Sequence, residues 1–479
     1  MVCALLIALA LLWRPLLTMN DGLWGPADPW SNGDFVGAYW LFWSAAQSGD
    51  VTQALNHPWG ESSILANFPN PFDAWLLGPI VAQMRFPLWF NLMMLAHHLL
   101  NVVGTVTLAR FAGARPISCL AAGVLVAASP IMLHEHTMGH TLTAAIWPGL
   151  FGLAALLRGN GAWAALLIAI QGYAYLYNGL AFGLIALVIR PTRWLGLSLL
   201  LILPYLVSLA PALQSTTATP PPDGFTALPI DGLTWGAQQS HVRINPLVLL
   251  GLLALFQGTK NSLRIRRRLT LTAVTCLLIA AGPVWVLHRG QPPLSHSPIA
   301  FLFDIPGLSR MHHPIRMTMV AVPLLAVCLA LALQRKRNLW SIALVLSAAL
   351  TWKTMDNTVA WPQNPNPPGH KAAMWLADHA TAVVDLGSYS MEALALQPIH
   401  QKPILSGFHP RNRPRSGLDP SVFQAVEKWA TGTVIPDLPR ILKRLGYSHV
   451  LVIDRGRPLD DTAVKQQLGP PVMPNIYAL

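Results

Sequence analysis

The sequence predicts an α-helical polytopic membrane protein of about eleven transmembrane helices, with a small extracytoplasmic α/β domain at its C-terminus. Three observations carry this. Hydrophobic residues make up 53% of the chain and charged residues only 11%, against roughly 25% charged in an ordinary soluble domain. Bases and acids segregate to opposite sides of the apolar segments. Past Asp356 the composition turns polar and Pro-rich. A single soluble enzyme is excluded. The net charge of +12 does not indicate nucleic acid, because the bases sit in short runs between apolar stretches and no binding module is recognisable. The 18 Trp residues suit interfacial aromatic belts.

Residues 1–19 are apolar apart from Arg14 and read as a first membrane helix. No small-residue cleavage site follows, which argues against a signal peptide. Residues 20–70 form a long outer loop rich in acids and Trp. Within it, 35–48 is short and aromatic and predicts a helix lying in the membrane interface. The Pro-bounded stretch 71–85 reads as interfacial or re-entrant. Further apolar spans run at about 88–109, 116–133, 140–157, 161–175, 177–190, 194–213, 245–258, 270–288, 316–334 and 339–355. The pair 161–175 and 177–190 is either two helices or one helix bent near Tyr177-Asn178-Gly179.

Charge fixes the orientation. Alternate loops hold Arg110, Arg115, Arg158, Arg190, Arg193, the run Lys260 to Arg268, and Arg335-Lys336-Arg337, with no acid among them. Those loops are cytoplasmic by the positive-inside rule. Every acid up to Asp304 falls on the other side, so acid–base or metal chemistry is expected at the outer face. Residues 1–356 thus form a multi-pass membrane domain, 357–370 a Pro/Asn linker, and 371–479 an outer α/β domain. In that domain strands are expected at 381–386, 402–406, 448–453 and 473–478, and helices at 390–398, 420–431, 437–445 and 461–467. Cys3, Cys119, Cys276 and Cys328 all lie in apolar segments without metal spacing, so disulfides and a cysteine zinc site are not expected.

Three clusters can carry chemistry. Asn32-Gly33-Asp34 leads into the aromatic helix. Asp34 can act as a general base toward a hydroxyl, help hold a divalent cation, or simply cap the helix. Asp28 is the second candidate and Asp21 the third. The second cluster is His134-Glu135-His136 with His140. It can ligate a metal through Glu135 and His136, hydrogen-bond a substrate phosphate through His140, or serve as a membrane-boundary structure. A continuous helix here would put His136 and His140 on one face. The third is Asp304 to Arg316, where Arg310, His312, His313 and Arg316 precede an apolar helix. Arginine there suits a lipid phosphate or pyrophosphate through bidentate contacts, or snorkels to anchor the helix. Arg243 beside His241 is a weaker candidate for the same role. P-loop, Rossmann and G-x-S-x-G signatures are absent from the sequence.

The sequence resembles the GT-C superfamily of integral-membrane glycosyltransferases, in a bacterial branch with a C-terminal outer soluble domain. The segments that carry the likeness are Asn32-Gly33-Asp34 with the following FVGAYWLFWSAAQSGD, the Pro-rich stretch 56–72, residues 129–150, residues 305–327, and 394–414 with 445–453. The resemblance implies sugar transfer, hexosyl or pentosyl, from a polyprenyl-phosphate donor to a glycan, lipid or protein acceptor at the outer face of the bacterial inner membrane. It implies Asp34 as the catalytic acid of the first outer loop, and a divalent cation such as Mg or Mn. No second acid adjoins Asp34 as it does in many members of the superfamily. A lipid-linked glycan transporter and a non-catalytic envelope assembly protein remain the alternatives.

Overall fold

In the computed structural model the described residues are 2–11, 33–46, 55, 70, 72–74, 86–137, 140–215, 228–233, 246–255, 260–287, 294–304, 313–332, 342, 345, 366–386, 392–405, 420–453 and 459–479. The chain divides into two compact units. One joins Met1–Met19 to Phe90–Ala360, and the other joins Asn20–Trp89 to Trp361–Leu479. The first outer loop therefore groups with the C-terminal residues, although the sequence had suggested grouping it with the membrane part.

The first unit is a helical bundle. Its helices are Val2–Leu11, Phe86–Phe111, Pro116–Ala127, Pro130–Thr137, Thr141–Ala144, Trp147–Arg158, Gly161–Ala174, Leu176–Ile189, Trp194–Ser215, Lys260–Ala280 and Thr318–Ala332. Among the described residues, two helices are long and apolar enough to cross a membrane, Leu88–Phe111 and Pro314–Ala332. A third span results if Pro116–Ala127 and Pro130–His136, bent by 52°, are taken together. The remaining expected spans are shorter apolar helices or extend beyond the described residues, so the count of about eleven stays an expectation. The bend has a plain cause. Pro130 has no N–H to offer the Val126 carbonyl, which accepts from the Ser129 N–H at 3.1 Å instead. Helix Thr318–Ala332 is buried along its whole length. The outer sides of the 161–215 helices show Trp163, Leu184, Leu199, Leu200 and Val207, each more than half exposed. So apolar an exterior suits lipid rather than water.

Residues 161–175 and 177–190 form two helices. The single extended residue Tyr175 (φ −158°, ψ 114°) joins them, two residues before the expected bend. The basic run 260–268 is the opening of helix Lys260–Ala280 rather than a loop, since Lys and Arg are good helix formers. That helix ends before 288, where Val284–Trp285 pairs antiparallel with Ser295–His296. Residues 246–255 are a 3-10 helix. Two of these arginines bind helix C-termini: Arg268, within helix Lys260–Ala280, donates from Nη1 to the Ile189 carbonyl at 2.6 Å, and Arg190 Nη1 donates to the Leu156 carbonyl at 3.3 Å. Carbonyls at a helix C-terminus lack partners within the helix and attract cations.

In the second unit, Val383–Asp385 pairs parallel with His449–Leu451, and that strand pairs antiparallel with Ile476–Ala478. Residue 404 adds an isolated parallel bridge to Val383. Helices Pro420–Ala430, Leu438–Arg444 and Thr462–Leu468 match expectation closely. Residues 392–395 form a short 3-10 helix and 397–400 a single turn of α-helix, instead of one continuous helix. Helix His370–His379, opened by Gly369 at φ 86°, falls where the sequence reading placed no element. Trp429, Tyr447, Val384, Val450 and Leu442 are core residues of this unit. Helix Gly33–Ala46 also belongs to it, packed on residues 392–400. Its Phe35, Val36, Trp40 and Phe42 are fully buried. Protein therefore covers the aromatic side chains that had suggested an interfacial helix.

Candidate functional site

The cluster at Glu135 lies beside two helix interruptions. The first is the Pro130 bend, which starts the short helix Pro130–Thr137. The second lies between Thr141–Ala144 and Trp147–Arg158. Pro148 lacks the N–H that would bond the Ala144 carbonyl, so the helix cannot run through. Backbone groups exposed by such a break need partners, because an apolar interior offers none. Two side-chain amides supply them. Asn101 Nδ2 donates to the Ala144 carbonyl at 2.7 Å, and the Ile146 N–H donates to Asn101 Oδ1 at 3.2 Å. Gln171 Nε2 donates to the Ala145 carbonyl at 2.8 Å, and the Gly149 N–H donates to Gln171 Oε1 at 3.1 Å. Both amides are fully buried. Gln171→Leu is expected to lower the thermal midpoint in detergent by several degrees. It leaves one carbonyl and one N–H buried without partners, at about 1–3 kcal/mol each. An unchanged midpoint would show that these bonds contribute nothing.

His140 and Thr143, just before this break, face Glu135. The His140 N–H donates to the Glu135 carbonyl at 3.0 Å. Glu135 is only 4% exposed. Its Oε2 lies 3.0 Å from His140 Nδ1, accepts a short hydrogen bond from Thr143 Oγ1, and lies 3.6 Å from Arg316 Nε. Arg316 sits just ahead of helix Thr318–Ala332, its N–H bonded to the His313 carbonyl at 3.0 Å. A cation at a helix N-terminus gains nothing from the helix dipole. The buried carboxylate opposite compensates it.

Three sequence candidates therefore meet: Glu135, His140 and Arg316. The continuous helix that would put His136 and His140 on one face is not there. The helix ends at Thr137, so His140 is not one turn on from His136. The ring nearer His140 is that of His134, centroids 6.4 Å apart. His136 turns inward, donates from Nδ1 to the Met132 carbonyl at 2.5 Å and packs edge-on against His98. His97 accepts from Trp147 Nε1 at 3.2 Å. His97 and His98, with Asn101 and Gln171, were missed by sequence reasoning. Their signal was polar side chains inside apolar runs.

A divalent cation held by Glu135 and His136 does not fit this arrangement. Consecutive helical residues point about 100° apart, and Glu135 Oε2 is already engaged by Arg316, His140 and Thr143. Among the described residues no group of three or more His, Cys, Asp or Glu side chains is placed to hold a metal ion. His313 is exposed beside Arg316. Asp34 is the second residue of helix Gly33–Ala46, and its side chain lies outside the described residues. Asp28, Asp21, His241, Arg243, Arg310 and His312 lie outside them altogether.

The fold is similar to that of an archaeal oligosaccharyltransferase. The chain is similar to the crystal structure of the Archaeoglobus fulgidus oligosaccharyltransferase in its apo form, with a TM-score of 0.55 and 12% identity over 94% of this chain and 68% of that one. It is similar as well to the same enzyme in complex with zinc and sulfate, with a TM-score of 0.50 and 14% identity over 94% and 67%. No protein-family model matches the chain, and no curated protein sequence does.

Proposed function

We propose that the chain is a membrane glycosyltransferase that moves a hexosyl or pentosyl group from a polyprenyl-phosphate-linked donor to an acceptor at the outer face of a bacterial inner membrane. Its N-terminus is cytoplasmic and its C-terminal unit lies outside. The observation that carries this reading is Arg316. Its guanidinium is held by a buried carboxylate at the approach to a fully buried apolar helix, within a GT-C fold. A guanidinium has five donors in a planar fork, and the Glu135 contact is made through Nε. The reaction breaks the bond between sugar C1 and the phosphate oxygen and forms a bond from C1 to the acceptor oxygen, with inversion. The acceptor proton passes to Asp34. The leaving polyprenyl phosphate gains negative charge, which Arg316, His140 and His313 offset. Arg310 and Arg243 are further candidates for the same phosphate, and Asp28 supports Asp34. The archaeal structure with zinc and sulfate supports a divalent cation, Mg or Mn, which would contribute charge neutralisation at the leaving phosphate.

The test is release of free polyprenyl phosphate from polyprenyl-phosphate mannose, glucose or arabinose by the purified protein in nanodiscs. Asp34→Asn is expected to slow release by about 10²–10⁴-fold with normal expression. Release at the native rate in that variant removes Asp34 from the mechanism. Movement of lipid-linked sugar across the bilayer without any transfer product would support the transporter reading instead.

A further inference from the structure

The second unit contains a buried hydrogen bond between two segments far apart in the chain. Trp40 Nε1 donates to Gln397 Oε1 at 2.6 Å. Both side chains are fully buried. Gln397 is itself held, since its Nε2 donates to the Lys402 carbonyl at 3.2 Å. The Lys402 N–H in turn donates to His400 Nδ1 at 2.9 Å, and His400 is 2% exposed. Leu394, Ala395 and Leu396, just before Gln397, are fully buried as well. On the other side, Phe42 meets Trp89 at 4.9 Å between ring centroids and Trp43 lies 6.0 Å from Trp40.

An apolar contact alone lets a helix slide or rotate, because hydrophobic attraction has no direction. A buried indole N–H does not, because leaving it unpaired costs far more than the bond gains. The Trp40–Gln397 bond therefore fixes both the rotation and the axial position of helix Gly33–Ala46. Asp34 is on that helix, about 9 Å of rise toward its N-terminus. A helix is stiff over that distance, so what is fixed at Trp40 is fixed at Asp34.

We infer that Gln397 is a positioning residue for the helix carrying Asp34, and that the C-terminal segment 392–402 works as the seat of that helix rather than as a separate binding module. This rests on the proposed role of Asp34. Gln397 touches no substrate in this account and acts only through Trp40.

The experiment compares Trp40→Phe, Gln397→Met and the double variant, in the full chain in nanodiscs. Two readouts are taken: release of polyprenyl phosphate from polyprenyl-phosphate mannose, and hydrogen exchange of the 35–44 amides. Each single change is expected to lower kcat between about tenfold and a hundredfold, as small misplacements of catalytic groups do, with KM for the donor little changed. Exchange in 35–44 should rise while that of 449–451 stays put. The double variant removes both members of the Trp40–Gln397 bond, so no indole N–H is left buried without an acceptor, and only the half-buried Lys402 carbonyl loses a donor. It should lose no more than either single variant and recover part of the native protection. Unchanged exchange in 35–44 in Gln397→Met overturns the inference, and so does raised exchange with native kcat. Additive losses in the double variant also overturn it, because independent sites add. An Asp34→Asn variant that turns over donor normally sinks the underlying reading, and is scored in a different protein. If no variant folds, Gln397→Glu, which keeps the acceptor for Trp40, supplies the comparison. Native exchange of 35–44 in Gln397→Glu supports the seat, and exchange as fast as in an unfolded helix overturns it.

Discussion

Replacing Arg316 by Ala is expected to lower donor turnover by about 10²–10³-fold, the usual cost of removing one preorganised donor to a developing oxyanion. The expectation has two separable parts. Arg316 is only 11% exposed and faces a carboxylate that is 5% exposed. Removing it leaves Glu135 buried with His140 and Thr143 beside its carboxylate. Breaking a buried pair by deleting one member typically costs about 3–5 kcal/mol. A loss of activity in Arg316→Ala alone would therefore not distinguish chemistry from folding. The double variant Glu135→Gln with Arg316→Ala does. It removes the stranded charge, so thermal stability should recover most of the loss, while donor turnover stays low. Arg316→Lys should fall between, since it keeps the charge but loses the planar fork that matches a phosphate. Thermal unfolding and release of polyprenyl phosphate, measured on the same preparations, read the two parts. Native turnover in the double variant would make Arg316 a structural counter-ion and nothing more.

Much of the helical layout is legible in the sequence, because a long apolar run bounded by arginine or proline has few other ways to fold. The ends of 86–111, 161–174 and 314–332 fall within a few residues of their expected places. Legibility fails where one chemical signal has two readings. The Lys260 to Arg268 run reads as a loop by charge, yet its residues are good helix formers and lie along a helix. The tight helix ending at Thr137 makes His134, rather than His136, the neighbour of His140. A period of 3.6 applied through 138–140 cannot show that. Long-range pairings are beyond any local pattern. Glu135 with Arg316 and Trp40 with Gln397 join residues from distant segments, and the sequence marked three of those four only as separate candidates or as aromatic filler. Asn101 and Gln171 stood in plain view as amides inside apolar runs. Their purpose becomes clear only once Pro148 is seen to break the helix they complete.

The largest structural effect is expected at Gly179. A Cβ there would lie 2.4 Å from Gly172 Cα and 2.7 Å from Gly172 N. Both are backbone atoms, so no rotamer change relieves the clash, and the two helices must separate. They have little slack for it, joined only by the extended residue Tyr175. Overpacking of this kind costs about 1–3 kcal/mol and often more when backbone must move. Gly179→Ala should therefore cut the yield of folded protein and lower the midpoint of thermal unfolding, and Gly179→Val should abolish folding. Gly172→Ala offers the internal control. Its Cβ would meet Ile202 Cδ1 at 1.9 Å, the far end of a flexible side chain. Truncating Ile202 to Ala should rescue Gly172→Ala but leave Gly179→Ala unchanged. A native midpoint in Gly179→Ala would mean that the hairpin is not packed backbone to backbone. The consequence also reaches the Glu135 cluster. Gln171 precedes Gly172, and its amide completes the broken helix at Ala145 and Gly149. His140 and Thr143, which face Glu135, lie just before that break. Prising the hairpin apart at Gly179 should thus loosen the phosphate end of the proposed site, and donor turnover should fall with stability in this variant.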